Sequence, residues 1–324
     1  MKALVFTGPG VVELREAPEP EVGAGEVLVH VAASGICGSE LHGVKRPGFR
    51  TPPLIMGHEF TGHTDDGRPV VVNPILSCGA CDLCAQGQPN ICRNRQIIGI
   101  HRPGGYAERV AVPTASVIPL PGGVDPTAAA VIEPLANAVH AWRLAGHPAG
   151  ARVAIIGAGT IGLTCLHTAH TGKAASIHVA DRSPERLAAA ARLGATTTGT
   201  ELTGEYDVIF DAVGAPATRE QSVAHLRPGG VTVWLGLADP AAAFDAADLV
   251  RTEKRVLGSF AYTGTDFAAA IDLVSGWDLT WVDSYPLDEG ADIFTQLMHG
   301  QALPIKALLT PLKLTPLKLT PESR

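Results

Sequence analysis

The chain has 324 residues, of which 46% are hydrophobic and 18% are charged, and its formal net charge is −7. A length of this order predicts about two domains. The acidic balance, without a run of Lys or Arg, argues against nucleic acid or an anionic membrane surface as the main partner, because phosphate binding needs clustered positive charge. The longest apolar stretch, Val153 to Leu166, is shorter than the ~20 residues of a membrane-spanning helix, and we expect a cytoplasmic protein without membrane contact.

The N-terminal part of the chain is strand-like. Lys2 to Phe6 begins the sequence without a recognisable secretory leader, and polar and apolar residues alternate over Glu26 to Ala32 and Tyr106 to Val112. Gly and Pro interrupt these runs throughout. We therefore predict an irregular all-β region over the first 120 residues.

Four of the six cysteines form one tight group in this region. Cys78, Cys81, Cys84 and Cys92 are spaced C-x2-C-x2-C-x7-C, and short loops of this kind wrap four thiolates around one tetrahedral zinc ion. The alternative is two disulfides, but a chain without a secretory leader keeps its thiols reduced. The spacing predicts a closed, structural zinc site.

A second candidate metal site lies upstream of this group. Cys37 stands alone, and His58 and Glu59 lie between it and the four cysteines. Three or fewer protein ligands leave a coordination position open for water or substrate, which distinguishes catalytic zinc from structural zinc. Together the two ligand sets indicate a zinc enzyme with two zinc ions per chain, one catalytic and one structural.

From about Ala136 onward, long Ala- and Leu-rich stretches alternate with short β-branched runs. This alternation is typical of βαβ units and a parallel sheet. Helices are predicted over Leu163 to His170 and Pro184 to Leu193. The predicted strands, which together form a doubly wound α/β sheet, are Arg152 to Ile156, Ser176 to Ala180, Tyr206 to Phe210, Val231 to Leu235 and Val256 to Phe260.

The first of these strands runs into a glycine-rich turn, Gly157-Ala158-Gly159-Thr160-Ile161-Gly162, followed by a helix. In this context Gly157 permits the tight turn, Gly159 lets the backbone approach a pyrophosphate, and Gly162 allows close packing of helix on strand. The turn is a dinucleotide-binding fingerprint, with Thr160 and Ile161 at the helix start.

The residues at the end of the next strand bear on the choice of dinucleotide. Asp181 follows the fingerprint at the distance where a carboxylate accepts both ribose hydroxyls of NAD and repels a 2′-phosphate. Arg182 beside it keeps NADP open, because an Arg at this place can receive that phosphate. The position of the carboxylate favours NAD.

These motifs together resemble the zinc-dependent medium-chain dehydrogenases, and within them the sorbitol, butanediol and threonine dehydrogenase branch. The motifs that carry the resemblance are the fingerprint, the four-cysteine group, Gly35-Ile36-Cys37-Gly38-Ser39-Glu40-Leu41-His42, Gly57-His58-Glu59, Gly104-Gly105-Tyr106-Ala107-Glu108 and Glu133-Pro134-Leu135. The resemblance implies a β-rich, GroES-like catalytic domain from residues 1–136 and 262–311, which encloses a Rossmann domain at residues 137–261. Residues 312–324 repeat a proline-containing pentapeptide and are predicted to form a low-complexity tail.

The resemblance also implies roles for individual residues. Cys37, His58 and Glu59 become ligand candidates for the catalytic zinc, and Glu133 takes a position at or next to the metal, where it can exchange with Glu59. Ser39 and His42 match a proton relay between the substrate oxygen and solvent. The implied activity is hydride transfer between NAD and an alcohol, with zinc acting as a Lewis acid.

Departures from the family limit the substrate and leave alternatives open. Relatives acting on sorbitol carry an Arg where this chain has Ala261, which favours a smaller secondary alcohol, a diol or an amino alcohol over a hexitol. The resemblance further implies a homodimer or a homotetramer, formed through the strand Val256 to Phe260. The rival hypotheses are a zinc-free enone or quinone reductase of the same fold, and a non-enzymatic zinc ribbon that binds nucleic acid.

Overall fold

The computed structural model describes residues 1–45, 50–300 and 304–311. This part of the chain divides into two compact units. The first contains Met1–Glu133 and the chain from Val274 onward, and the second is Pro134–Leu273. The predicted low-complexity tail at 312–324 lies outside the described residues.

Strands occur in both units. They are β1 (Lys2–Gly8), β2 (Val11–Glu16), β3 (Glu26–Gly35), β4 (Leu54–Ile55), β5 (Glu59–Thr64), β6 (Pro69–Val72), β7 (Ile75–Leu76), β8 (Gln96–Ile97), β9 (Arg109–Pro113), β10 (Val117–Pro119), β11 (Arg152–Ile156), β12 (Ser176–Ala180), β13 (Thr197–Gly199), β14 (Tyr206–Asp211), β15 (Leu226–Trp234), β16 (Arg255–Gly258), β17 (Val282–Pro286) and β18 (Lys306–Thr310). The helices are α1 (Gly38–Gly43), α2 (Asp82–Ala85), α3 (Ile132–Leu144), α4 (Thr160–Thr171), α5 (Pro184–Arg192), α6 (Pro216–Ala224), α7 (Ala246–Arg251), α8 (Gly264–Val274) and α9 (Gly290–Met298). Among the described residues, none of these helices combines the length and apolarity needed to cross a lipid bilayer.

The first unit is β-rich, as the sequence predicts for its N-terminal part. Its largest sheet has the order β10-β6-β5-β3-β18-β17, with β9 also paired to β3. Strand β18 comes from the C-terminal part of the chain and pairs antiparallel with β3, so that both ends of the chain build one sheet. Buried Val29, Phe60 and Val110 belong to the core cluster beneath this sheet.

The second unit confirms the predicted doubly wound parallel sheet. Its strand order is β13-β12-β11-β14-β15-β16, and every neighbouring pair is parallel. This order reverses direction beside β11, which is the arrangement of dinucleotide-binding folds. Strands β11 and β12 have the predicted bounds, whereas the predicted number of five strands is wrong. The sixth strand, β13, has only three residues and is too short and polar for a periodic signal.

Helices α3 and α8 of the second unit are joined by a buried carboxylate. Asp266 lies 2.7 Å from His140 Nδ1 and accepts from Arg143 Nε at 2.8 Å. Thr263 also donates its hydroxyl to Asp266 at 2.7 Å. This network links the start of α8 to α3 within the second unit. The domain boundary between residues 261 and 262 stays a prediction.

Candidate functional site

The four-cysteine group forms a compact lobe of the first unit, beside α2 and the short hairpin of β7 and β8. The Sγ atoms of Cys78, Cys81, Cys84 and Cys92 all lie within 4.8 Å of one another. The separations are 3.4 Å for Cys78 and Cys92 and 3.6 Å for Cys81 and Cys84. None of the four forms a disulfide. Four sulfur donors at these distances fit one tetrahedral zinc ion.

Backbone amides prepare this lobe for a cation. The N–H groups of Cys84 and Arg93 point at the Cys81 sulfur and lower the pKa of that thiol to about 6. Burial and the neighbouring sulfurs raise the pKa of Cys84 to about 11. Cys81 is therefore a thiolate at neutral pH, and the thiols that are still protonated lose their protons as metal binds.

The second ligand set, Cys37, His58 and Glu59, is brought together by strand pairing. Cys37 precedes α1 at the end of β3, and Gly35 on β3 pairs with Glu59 on β5. One donor atom from each of the three residues lies within 4.8 Å of the other two. A thiol, an imidazole and a carboxylate at this spacing fit a zinc ion with an open coordination position.

Glu133 stands apart from this set. It is buried in the first turn of α3, but the group of three donors within 4.8 Å does not include it. Its role as an exchanging ligand stays a prediction.

A buried carboxylate that the sequence analysis assigned no role orients this set. Glu40 lies three residues into α1, is fully buried and accepts from the backbone N–H of Gly57 at 2.9 Å and of Cys37 at 3.1 Å. Its Oε1 is 3.1 Å from His58 Nδ1, and its Oε2 accepts from the hydroxyl of Tyr106. A hydrogen bond at Nδ1 leaves Nε2 of His58 for a metal. The signal for Glu40 is its capping-box spacing from Cys37.

The electrostatics of Glu40 and His58 are coupled. Burial raises the pKa of Glu40, but the charge and hydrogen bond of His58, together with Arg50 and Tyr106, outweigh it and hold this pKa at about 2. Burial lowers the pKa of His58, but Glu40 and Cys37 outweigh it and raise this pKa well above the usual range. Glu40 is therefore ionised at neutral pH, and its negative charge favours a positive charge on or next to the His58 ring.

The two residues of the predicted proton relay lie on α1. The Ser39 hydroxyl is 3.3 Å from Cys37 Sγ, which places it next to the ligand set. His42 follows Ser39 by three residues, so both occupy one side of the short helix. Both His42 and Ser39 are exposed to solvent.

In the second unit, the fingerprint has the backbone that a dinucleotide needs. A methyl group at Gly162 would overlap the carbonyl of Gly157, so the close approach of helix α4 to this turn requires glycine at position 162. At Gly159 a methyl group would meet only the Arg186 guanidinium, at 3.9 Å, so space remains over this backbone. Thr160 and Ile161 follow at the N-terminus of α4, where free amides attract phosphate.

Asp181 lies directly against this turn. Its carboxylate accepts from the Ala158 N–H at 2.7 Å and from the Ser183 N–H at 2.8 Å. Arg186 on α5 reaches within 4.0 Å of the same carboxylate, while Arg182 is exposed. The carboxylate is thus fixed beside the fingerprint, and the guanidinium of Arg186 is a cation that the sequence analysis did not single out.

Comparison with known proteins identifies the family of the chain. Residues 23–122 match the family model of the alcohol dehydrogenase GroES-like domain, and residues 160–276 match that of zinc-binding dehydrogenases. The chain is 30% identical to L-galactonate-5-dehydrogenase of Escherichia coli, covering 96% of this chain and 99% of that protein. It is 34% identical to L-threonine 3-dehydrogenase of Streptomyces avermitilis, covering 86% and 90%.

A solved structure shows the same architecture. The putative zinc-binding dehydrogenase from Sinorhizobium meliloti, bound to NADP, superimposes with a TM-score of 0.89 at 32% identity, covering 96% of this chain and 99% of that one. These matches support the zinc dehydrogenase hypothesis over both rivals, and zinc and NAD(P) as cofactors. The chain therefore belongs to the zinc-dependent medium-chain alcohol dehydrogenases, oxidoreductases that combine a GroES-like domain with a Rossmann domain.

Proposed function

We propose that this enzyme oxidises a secondary alcohol with a neighbouring hydroxyl or amino group, using NAD, and that Cys37, His58 and Glu59 hold its catalytic zinc. The observation that carries this proposal is the cluster of one partly buried thiol, one buried imidazole and one buried carboxylate, in which Glu40 orients the imidazole. When bound there, zinc supplies Lewis acidity for the substrate hydroxyl. Glu133 is the candidate for a further ligand, and the cysteine lobe holds the structural zinc.

The chain's own residues would handle the proton. The Ser39 hydroxyl, 3.3 Å from Cys37 Sγ, would accept the proton of the substrate hydroxyl while it releases its own proton toward His42. His42, farther along α1, would pass that proton to solvent. In the direction of carbonyl reduction the same two groups return the proton to the substrate oxygen.

We also propose a preference for NAD over NADP. The Asp181 carboxylate, held by two backbone N–H groups beside the fingerprint, would accept ribose hydroxyls and repel a 2′-phosphate. Arg182 and Arg186 weaken this repulsion, since either could pair with the phosphate. Substitution of Asp181 by Asn should therefore raise the kcat/KM ratio of NADP to NAD at least tenfold.

The substrate class rests on the relatives and on one position of this chain. L-galactonate and L-threonine, named for the two relatives, both carry a secondary hydroxyl beside a polar group. Ala261 stands where sorbitol-oxidising relatives have an Arg, which favours a shorter substrate with fewer hydroxyls.

A homodimer would use the open edge of the second unit. Within the described ranges, strand β16 has a neighbour on one side only, and Leu237 and Val250 are 71% and 72% exposed. Half-exposed Phe244 and Phe260 add to the apolar surface of this unit. Pairing of β16 with the same strand of a second copy would satisfy its unpaired backbone groups, and a light-scattering mass of one 33.6 kDa chain would contradict it.

The deciding experiment combines metal analysis with turnover. Purified protein should contain two zinc ions per chain and should reduce NAD with at least one member of a panel of secondary alcohols, diols, polyols and L-threonine. Cys37→Ser should remove one zinc and the activity. Cys165→Ala is the matched control, because this buried cysteine lies outside both ligand sets and burial raises its pKa to about 12. One zinc per chain in the unaltered protein, without turnover, would contradict the proposal.

A further inference from the structure

The first unit contains a lysine that is almost completely buried. Lys306 is 1% exposed and begins β18. An ammonium group in an apolar interior is costly unless it is paired and hydrogen-bonded. The groups around Lys306 therefore indicate the role of its positive charge.

A glycine makes room for this side chain. In the sheet, Gly35 on β3 has Glu59 on one side and Leu308 on the other. A methyl group at Gly35 would lie 2.7 Å from Lys306 Cε and 2.8 Å from its Nζ, and it would overlap the Glu59 carboxylate. Because Gly35 has no side chain, the lysine can reach across β3 from β18 to β5.

The ammonium ends at the proposed ligand set. Lys306 Nζ donates to the carbonyl of Ile36 at 3.0 Å and forms an ion pair with Glu59 Oε2. Ile36 directly precedes Cys37, so the ammonium lies between the carboxylate and the chain that carries the thiol. One of the two oxygens of Glu59 is thus already held by a cation of the protein.

We propose that Lys306 is a positioning residue that competes with the catalytic metal for the Glu59 carboxylate and keeps Glu59 a weak, releasable ligand. This inference rests on the proposed assignment of Cys37, His58 and Glu59 as metal ligands. The Cys37 thiolate and the carboxylates of Glu59 and Glu40 bring three negative charges. Arg50, which helps to lower the pKa of Glu40, offsets one of them, and a divalent cation balances the other two. The extra positive charge of Lys306 therefore opposes metal binding and retains one oxygen of Glu59. A carboxylate with a second partner is held less firmly by a metal than one without.

The test is the metal affinity of a variant without this charge. Lys306→Met keeps the length and apolar stem of the side chain but removes the ammonium, and we expect it to bind Co²⁺ at the Cys37 site at least tenfold more tightly. Affinity is measured by competition with a chromophoric chelator. Each titration is repeated with Cys37→Ser added, so that the difference reports this site and excludes the cysteine lobe. The visible cobalt bands should also change, because Glu59 then binds without a competitor.

A second buried lysine provides the matched control. Lys254 in the second unit is 8% exposed and pairs with Asp248 at 2.8 Å, and Lys254→Met should leave cobalt affinity and bands unchanged. If Lys306→Met does not fold, Lys306→Gln removes the charge and retains a donor for the Ile36 carbonyl. A variant that is less stable without metal but has unchanged or weaker cobalt affinity would overturn the inference. Absence of a Cys37-dependent cobalt band in the unaltered protein would overturn the ligand assignment as well.

Discussion

The replacement of Glu40 by Gln tests whether a buried carboxylate organises the candidate metal site. Glu40 is fully buried, and both of its oxygens accept hydrogen bonds. Turned one way, the new amide group faces the Gly57 N–H, which is 2.9 Å from the present Oε1. Turned the other way, it faces the Cys37 N–H, which is 3.1 Å from Oε2. Neither backbone N–H can become an acceptor, so each orientation leaves one buried donor opposite another.

The expected magnitude follows from this geometry. A buried donor without an acceptor costs about 1–3 kcal/mol, and hydrogen bonds to an ionised group are roughly twice as strong as neutral ones. We therefore expect Glu40→Gln to lower the free energy of unfolding by about 3 kcal/mol. Since Glu40 also orients His58, metal affinity at the Cys37 site should fall ~10–100-fold.

Two measurements check this expectation. Urea unfolding of the metal-free protein gives the change in stability, and cobalt competition with and without Cys37→Ser gives the affinity of the site. Asp66→Asn is the control, because the side chain of Asp66 is 57% exposed and pairs with Arg68 at the surface. Its effect should stay within about 0.5 kcal/mol. If Glu40→Gln behaves like Asp66→Asn in both measurements, Glu40 does not organise the site.

Three further predictions concern the second unit and the cysteine lobe. Burial raises the pKa of Asp266, but its ion pairs with α3 outweigh this and hold the pKa below its ordinary value. Its stabilising contribution is therefore present above about pH 4 and is lost as pH falls further. Asp266→Asn should lower the free energy of unfolding at pH 7 by about 3 kcal/mol, and this variant should lose less stability between pH 7 and pH 3 than the unaltered protein. Urea titrations at the two pH values measure both effects. An equal loss of stability on acidification in the two proteins would argue against the pairing. Gly162→Ala introduces a methyl group that overlaps the Gly157 carbonyl, and it should destabilise the fold by about 3 kcal/mol. Gly159→Ala should keep thermal stability but weaken NADH binding in fluorescence titrations. Equal effects of the two variants on stability would contradict these different roles of the two glycines. Cys81→Ser should remove one zinc per chain by elemental analysis while the Cys37-dependent cobalt bands remain, and loss of those bands would show that the two sites depend on one another.

The sequence by itself indicates the features whose partners are close along the chain. The four cysteines of the lobe lie within residues 78–92, so their spacing alone indicates a closed site. The fingerprint is equally local, because a tight turn before a helix requires glycine at set positions. The strong β-branched runs also predict β11 and β12 with the bounds that the structure has. Strand β13 is short and polar and has no such run, so the sequence analysis does not predict it.

The tertiary structure decides the contacts between distant segments. Glu40 meets His58 across 18 residues and Tyr106 across 66, and Lys306 meets Glu59 across 247. No local pattern records such pairs, because the partners are far apart in the sequence and meet only in the folded chain. The pair of Lys306 and Glu59, for example, depends on the register of β18 against β3 and of β3 against β5. A shift of one residue in either register would turn Glu59 or Lys306 to the other face of the sheet. The sequence alone thus indicates which residue types bind the metal, whereas strand pairing determines that Lys306 lies next to Glu59.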